Sequence, residues 1–409
     1  MGIWHYRGFR LQTCKNAATS LAVGLAYIAS VWMGVSLHND VIAVTLILLS
    51  FWVPNIILSP VSGVYVDRFD RRHILALANT LRAFFLILFG FLLSLHRDTL
   101  LLLCLINASG GACFALAMPA NTRIMREIVP PELLLNANGI ADMLFEAGFM
   151  IGMSITGFVI ALTSYVTVFC IAGGLFLIGV IFTCMVRPKD FVNISKKADL
   201  PPEKLYHEYW HSVKYIWQKP LLKWMTIVQI FLLITFMTLP VVTVPFAKNI
   251  LHADATQYGV LEAFISIGVI IGSGLMAFWQ RLLGETRLFL TLFGAGIVAF
   301  IAFMLNNLLY RADMIGLLLG FGISVWTLAM TRCQHLTDLS LQGRVQATFS
   351  SIAGVGMLLV YWLLASLSKD IRLVHLLWVE VALIACAVLA FCRYEWLRIH
   401  ATKEQRAEA

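Results

Sequence analysis

The chain has 409 residues, 60% of them hydrophobic and only 13% charged, with a formal net charge of +8. Soluble domains carry about a quarter charged residues, so the composition excludes an ordinary soluble enzyme or binding module. The positive charge accompanies long apolar runs, which assigns it to membrane topology and anionic lipid head groups rather than to nucleic acid.

Apolar runs near the roughly 20 residues that a bilayer-spanning helix needs recur along the whole sequence. In chain order they are Thr13–Leu37, Val41–Val66, His73–Leu95, Thr99–Ile124, Leu135–Leu162 and Tyr165–Val186. After a polar stretch come Leu221–Ala247, Gln257–Leu282, Thr286–Asn306, Asp313–Thr331, Val345–Leu367 and Ile371–Cys392. Arg7, Arg10 and Lys15 lead into a full-length span with no small-residue cleavage site behind it, so the N-terminus does not read as a cleaved signal. With both termini inside, the inner segments hold 24 Lys and Arg and the outer loops 5. This positive-inside asymmetry places both termini in the cytoplasm. The eight cysteines are scattered without a C-x-x-C pair and read as small helix residues.

The only long polar stretch, 187–220, divides the spans six and six. It predicts a six-helix half over 1–190, a cytoplasmic amphipathic linker over 191–220 and a second six-helix half over 221–409. Within the linker, Leu205–Gln218 predicts a short helix on the inner leaflet, with Tyr209, Val213, Ile216 and Trp217 near one face. The halves are weak repeats. Arg126 and Arg332, Asn138 and Arg344, and Gly148 and Gly354 align at one offset.

The most informative segment is Gly63-Val-Tyr-Val-Asp67-Arg68-Phe-Asp70-Arg71-Arg72, between the second and third spans. It resembles the G-x-x-x-D-R-x-G-R-R loop of the major facilitator superfamily, with Asp70 where the general pattern has Gly. The variant D-R-F-D-R-R is similar to the branch containing the enterobactin exporter and macrolide-efflux pumps. The resemblance implies an all-α membrane protein of twelve spans in two pseudo-symmetric halves around a cavity. Asp67 has a partner at the second repeat boundary, where Gln342-Gly343-Arg344 opens the eleventh span and its helix N-terminus favours a carboxylate. The resemblance implies that this contact latches the halves in an outward-facing state, the alternative being a static charge cluster that fixes topology. Phe278 to Arg287 is a degraded counterpart in the second half.

Asp142 and Glu146 lie one turn apart on the fifth span, so both carboxylates share a helical face. Two like charges there favour sharing a proton, as a proton carrier needs. Arg123 and Arg126 at the end of the fourth span offer the alternative of plain neutralisation. Glu262 on the eighth span and Glu380 on the twelfth are ionisable groups at membrane depth, and of these Glu262 is the candidate for the cavity. Related exporters often carry an Asp near Val23 and a Gly-Pro pair near Gly152, and both are absent. Asn16, Thr19 and Tyr27 on the first span, Gln229 on the seventh and Trp326 on the tenth suit the cavity of an amphipathic solute. Serines and threonines also commonly bond their own backbone. His207-Glu208-Tyr209-Trp210-His211 matches a zinc-protease pattern by chance, since no third ligand is evident. No metal or cofactor is expected.

These readings predict proton-coupled export of a small amphipathic molecule, a siderophore or drug, by a monomeric multi-pass protein of a bacterial inner membrane. Pro119-Ala120 and Ala137-Asn138-Gly139 also resemble lysophospholipid transporters, which makes import or flipping of a lipid-like substrate the alternative. A polytopic enzyme or receptor would need a reactive cluster or a soluble domain, and neither is evident.

Overall fold

A computed structural model describes residues 3–38, 41–96, 99–187, 202–306, 308–338, 341–368 and 371–408, and among these the chain is helical with no strand. The first half contains α1 (Arg7–His38), α2 (Val41–Arg68), α3 (Arg71–Ser94), α4 (Leu100–Ile128), α5 (Leu134–Leu162) and α6 (Tyr165–Met185). Then follow α7 (Pro202–Gln218), α8 (Pro220–Asn249), α9 (Ala255–Gly274), α10 (Met276–Leu283) and α11 (Glu285–Leu305). The chain closes with α12 (Leu309–Ile323), α13 (Val325–Leu336), α14 (Gln342–Leu367) and α15 (Leu373–Glu408). Twelve spans, one of them α12 and α13 together, are long and apolar enough to cross a bilayer. The protein is therefore a multi-pass membrane protein.

Two spans are interrupted where the sequence reading ran them as one helix, and the last helix, α15, runs on to Glu408 past the expected Cys392. The eighth was expected to run unbroken from Gln257 to Leu282, but the helix stops at Gly274 and restarts at Met276. Across the break the Trp279 indole donates to the Ile271 carbonyl at 3.1 Å. The tenth was expected over Asp313–Thr331 but begins at Leu309 and is interrupted at Ser324. There one amide is shared between the carbonyls of Gly320 and Phe321, both at 3.3 Å, and the hydroxyl also bonds the Phe321 carbonyl at 2.6 Å. Glycines at 320 and 322 favour such a bend.

The helices cluster into two compact units. One comprises Met1–Asp199 with Ala253–Ala263, the other Leu200–His252 with Phe264–Ala409. In the first, α1 packs on α5 and α6, α2 on α4, and α3 on α4 and α6. In the second, α8 packs on α13, α14 and α15, and α11 on α12 and α15. Glycines permit the closest crossings, since packing in a bilayer relies on contact between small residues. A Cβ on Gly152 of α5 would lie 2.5 Å from the Leu21 carbonyl of α1, and one on Gly320 of α12 would overlap the Ile265 carbonyl of α9.

The expected linker helix forms as α7 and belongs to the second unit. Its buried side is Ser212 and Ile216, while Trp217 turns outward with Trp210. Tyr215 donates to Asp338 Oδ2 at 2.8 Å and accepts from Lys219 Nζ at 2.7 Å, which ties α7 to the end of α13. That tyrosine hydrogen bond, helped by Lys219, holds the Asp338 carboxyl below the usual carboxylate range.

Candidate functional site

The motif loop builds a charged knot at one end of α3 and α4. Asp70 caps α3 by accepting the Arg72 amide at 2.9 Å. The same carboxylate holds the Arg72 guanidinium, with Nη2 2.6 Å from Oδ2. Arg72 reaches across to the Val186 carbonyl at 3.1 Å, closing the end of α6. Asp70, where the resembled pattern has Gly, thus serves as a side-chain cap of α3. Arg71 pairs with Glu127 of α4, Nε to Oε1, at 3.4 Å. Glu127 is a second anion at this end of the unit, and the sequence reading missed it because it lies outside the loop pattern.

The second unit carries the same brace with its polarity reversed. Glu285 opens α11, the position corresponding to Arg71, and pairs with Arg332 of α13 at 3.2 Å. Arg332 also donates to the Tyr394 hydroxyl at 2.6 Å, and Arg398 joins Glu285 at 3.7 Å. In both units the third long helix is tied by an ion pair to the end of the fourth. Exchanging the signs preserves the attraction, so the repeat survives at the level of charge pairing where residue identity is lost.

The Asp70 cap allows a stability test. Hydrogen bonding to Arg72 holds the Asp70 carboxyl below the usual carboxylate range. A carboxylate with a depressed folded pKa contributes stability at neutral pH, and that contribution is lost as pH falls through the folded value. The site is partly exposed, so the effect is small. Asp70→Ala is expected to cost about 1 kcal/mol of unfolding free energy, and Asp70→Asn, which keeps the cap, about half of that. Denaturant titration in detergent at neutral pH measures both, and equal losses for the two variants would assign the whole effect to the ion pair.

The other predicted residues fall as follows. Gly63, Asp67 and Arg68 lie in the last turns of α2 and Arg344 in the first turn of α14, with side chains outside the described residues. The Asp142 side chain is likewise outside them, and Glu146 is exposed. Arg126 is exposed and Arg123 half-buried. His207 and Glu208 also lie outside the described side chains, His211 is exposed, and no metal-binding cluster occurs among the described residues.

Of the cavity candidates, Asn16 is half-buried, and the Thr19 hydroxyl bonds back to the Lys15 carbonyl at 2.9 Å. Tyr27 packs edge-on against Phe149 with ring centres 5.6 Å apart. Gln229 is fully buried, donates to Met330 Sδ at 3.3 Å and leaves its Oε1 without a partner among the described residues. Trp326, beside Thr235 and Phe293, lines an apolar cavity of about 30 Å³ inside the second unit. That volume suits one small molecule such as water, not a solute.

Glu262 is the most distinctive of the predicted groups. It is 7% exposed in the middle of α9 and accepts a short hydrogen bond from the Tyr258 hydroxyl one turn earlier. The Tyr258 ring stacks on Trp32 of α1, with centres 5.0 Å apart. Among the described residues no cation pairs with Glu262. Glu380 of α15 is fully buried and accepts from the Thr238 hydroxyl of α8 at 2.9 Å.

Residues 16–361 match the Major Facilitator Superfamily model. The chain is 30% identical over 169 residues to the uncharacterized MFS-type transporter YfiS of Bacillus subtilis (strain 168), a match spanning 41% of this chain and 38% of that relative. Its fold resembles a bacterial homologue of the iron transporter ferroportin in an inward-facing state, at a TM-score of 0.71 and 14% identity over 96% of this chain and 99% of the other. A bacterial homologue of the human lysosomal transporter Spinster follows at 0.68 and 15%, covering 96% of both chains. The nucleoside transporter NupG gives 0.61 and 14%, covering 94% of this chain and 98% of that one. With a family match over most of its length and the motif loop in its expected place, the chain belongs to the Major Facilitator Superfamily.

Proposed function

We propose that the protein is a proton-coupled exporter of a small amphipathic solute, a siderophore or a drug, working by alternating access in a bacterial inner membrane. The observation that carries the proton coupling is Glu262, a buried carboxylate in a spanning helix with a tyrosine donor and, among the described residues, no cation. A carboxylate buried at membrane depth without a cation is costly, and such groups mark proton or substrate paths. Asp142 and Glu146 form a second candidate pair through their spacing, with Arg123 and Arg126 as the neutralising alternative. The D-R-F-D-R-R loop supports the enterobactin-exporter and macrolide-efflux branch, and the excess of Lys and Arg on inner segments supports cytoplasmic termini. Asp67, with Arg344, is the proposed latch of the outward-facing state, and the carrier is proposed to act as a monomer without a cofactor.

The test uses proteoliposomes loaded with a pH-sensitive dye. Adding enterobactin, or separately a macrolide, outside the vesicles is expected to drive protons out of the lumen in step with solute entry. Solute movement without proton flux would remove the coupling. Movement of a lysophospholipid in place of either compound would favour the lipid reading suggested by Pro119-Ala120 and Ala137-Asn138-Gly139.

A further inference from the structure

The first unit buries two cations with no counter-charge among the described residues. Lys15 of α1 is 1% exposed and Arg82 of α3 is 7% exposed. The Lys15 ammonium makes a short bond to Asn121 Oδ1 of α4, an oxygen it shares with Gln12 Nε2 at 2.9 Å. Arg82 donates to the Gly110 carbonyl at 3.3 Å, and its guanidinium sits over the rings of Phe114 and Phe176 at 5.4 and 5.3 Å. All of these partners are neutral. No carboxylate pairs with either cation among the described residues.

The two cations belong to one cluster. At Gly179 of α6, a Cβ would lie 3.5 Å from Asn79 Nδ2 and 3.7 Å from Lys15 Cγ, so α1, α3 and α6 converge there. Arg82 stands one turn beyond Asn79 on α3, and its guanidinium lies over Phe176, one turn before Gly179 on α6. Like charges in one buried cluster repel, and burying a cation without compensation is strongly unfavourable. Arginine retains its charge under such conditions. Its guanidinium has five N–H donors and lysine three, and most of them have no acceptor among the described residues. Asn121 is half-buried, which gives the cluster an accessible edge.

We propose that Lys15 and Arg82 form a binding site for an oxyanion, a carboxylate or phosphate group, with Asn79 and Asn121 orienting it. An oxyanion accepts from the arginine fork and the ammonium together and neutralises both. The inference rests on the transporter reading only for the source of the anion, which is the transported solute or a lipid head group. The site itself is independent of direction and coupling ion.

The experiment measures binding, not transport, so its failure is distinct from failure of the transport reading. Purified full-length protein in neutral detergent, at constant chloride, is titrated by equilibrium dialysis with radiolabelled inorganic phosphate and with benzoate, and benzamide serves as the neutral isostere. Saturable binding of at least one anion, and none of benzamide, is expected. Arg82→Gln and Lys15→Gln are each expected to weaken it about 30-fold or more, and Arg82→Lys less. Absence of saturable anion binding to the unmodified protein would overturn the proposal whether or not the variants fold. Unchanged affinity in a folded Arg82→Gln variant would overturn it equally. Repeating the benzoate titration in nanodiscs separates the sources. Competition by phosphatidylglycerol, but not by phosphatidylcholine, assigns the site to lipid phosphate, and equal affinity in both assigns it to a solute.

Discussion

Glu262→Gln is expected to reduce uphill, pH-driven transport to background while downhill exchange of the same solute survives. Glutamine keeps the size of the side chain and an oxygen to accept the Tyr258 hydroxyl, so the contact of Tyr258 with Trp32 is preserved. What it loses is the ability to exchange a proton. A carrier whose cycle requires Glu262 to load and unload a proton then has no means of linking the proton gradient to solute movement. Folding is expected to be unchanged or slightly improved, because a buried carboxylate is replaced by a permanently neutral group. Glu262→Asp, which keeps an ionisable group one methylene shorter, is expected to retain partial coupling. The measurement compares accumulation against a gradient with counterflow in the same proteoliposomes. Full accumulation by Glu262→Gln would move the proton site to Asp142 and Glu146, and the double variant Asp142→Asn, Glu146→Gln would then be the one to lose coupling. Loss of both transport modes together would instead make Glu262 a structural or substrate-binding group.

Much of the fold was legible because a bilayer imposes one simple rule. Each crossing needs a long apolar helix, and length and hydropathy are visible in sequence. The breaks at Leu275 and Ser324 were not legible, because they depend on local bonds from Trp279 and Ser324 that hydropathy does not register. The extension of the last helix to Glu408 was missed for the opposite reason, since the span ends where the residues become charged but the helix does not. At the site, Arg71 and Arg72 stood out through their motif, whereas Glu127 did not, because its partner is set by how α3 and α4 pack. Lys15 counted in the sequence only as one more inner positive charge. Its burial beside Arg82 follows from convergence at Gly179, which needs three helices in place at once.

Gly152→Ala is expected to destabilise the first unit by about 1–3 kcal/mol, the usual range for overpacking a tight contact, although alanine is the better helix former. The added methyl would lie 2.5 Å from the Leu21 carbonyl and 3.0 Å from the Leu25 nitrogen of α1. Both atoms are backbone, so no side-chain rotation relieves the contact and the helices must separate. Separation removes neighbouring contacts in turn, because Gly24 of α1 packs as closely against the Phe149 carbonyl of α5. Gly152→Leu is expected to prevent this crossing from forming and to leave little protein recoverable from the membrane. Gly174 of α6 supplies the control, since a methyl there meets nothing within 4 Å. Gly174→Ala is therefore expected to stabilise slightly through helix propensity alone, by up to about 1 kcal/mol. The same substitution thus has opposite signs at two glycines in neighbouring helices. Thermal unfolding midpoints of the detergent-solubilised proteins read the difference directly. A Gly152→Ala variant as stable as Gly174→Ala would mean that α1 and α5 do not cross through these glycines, and the close approach that organises the first unit would have to lie elsewhere.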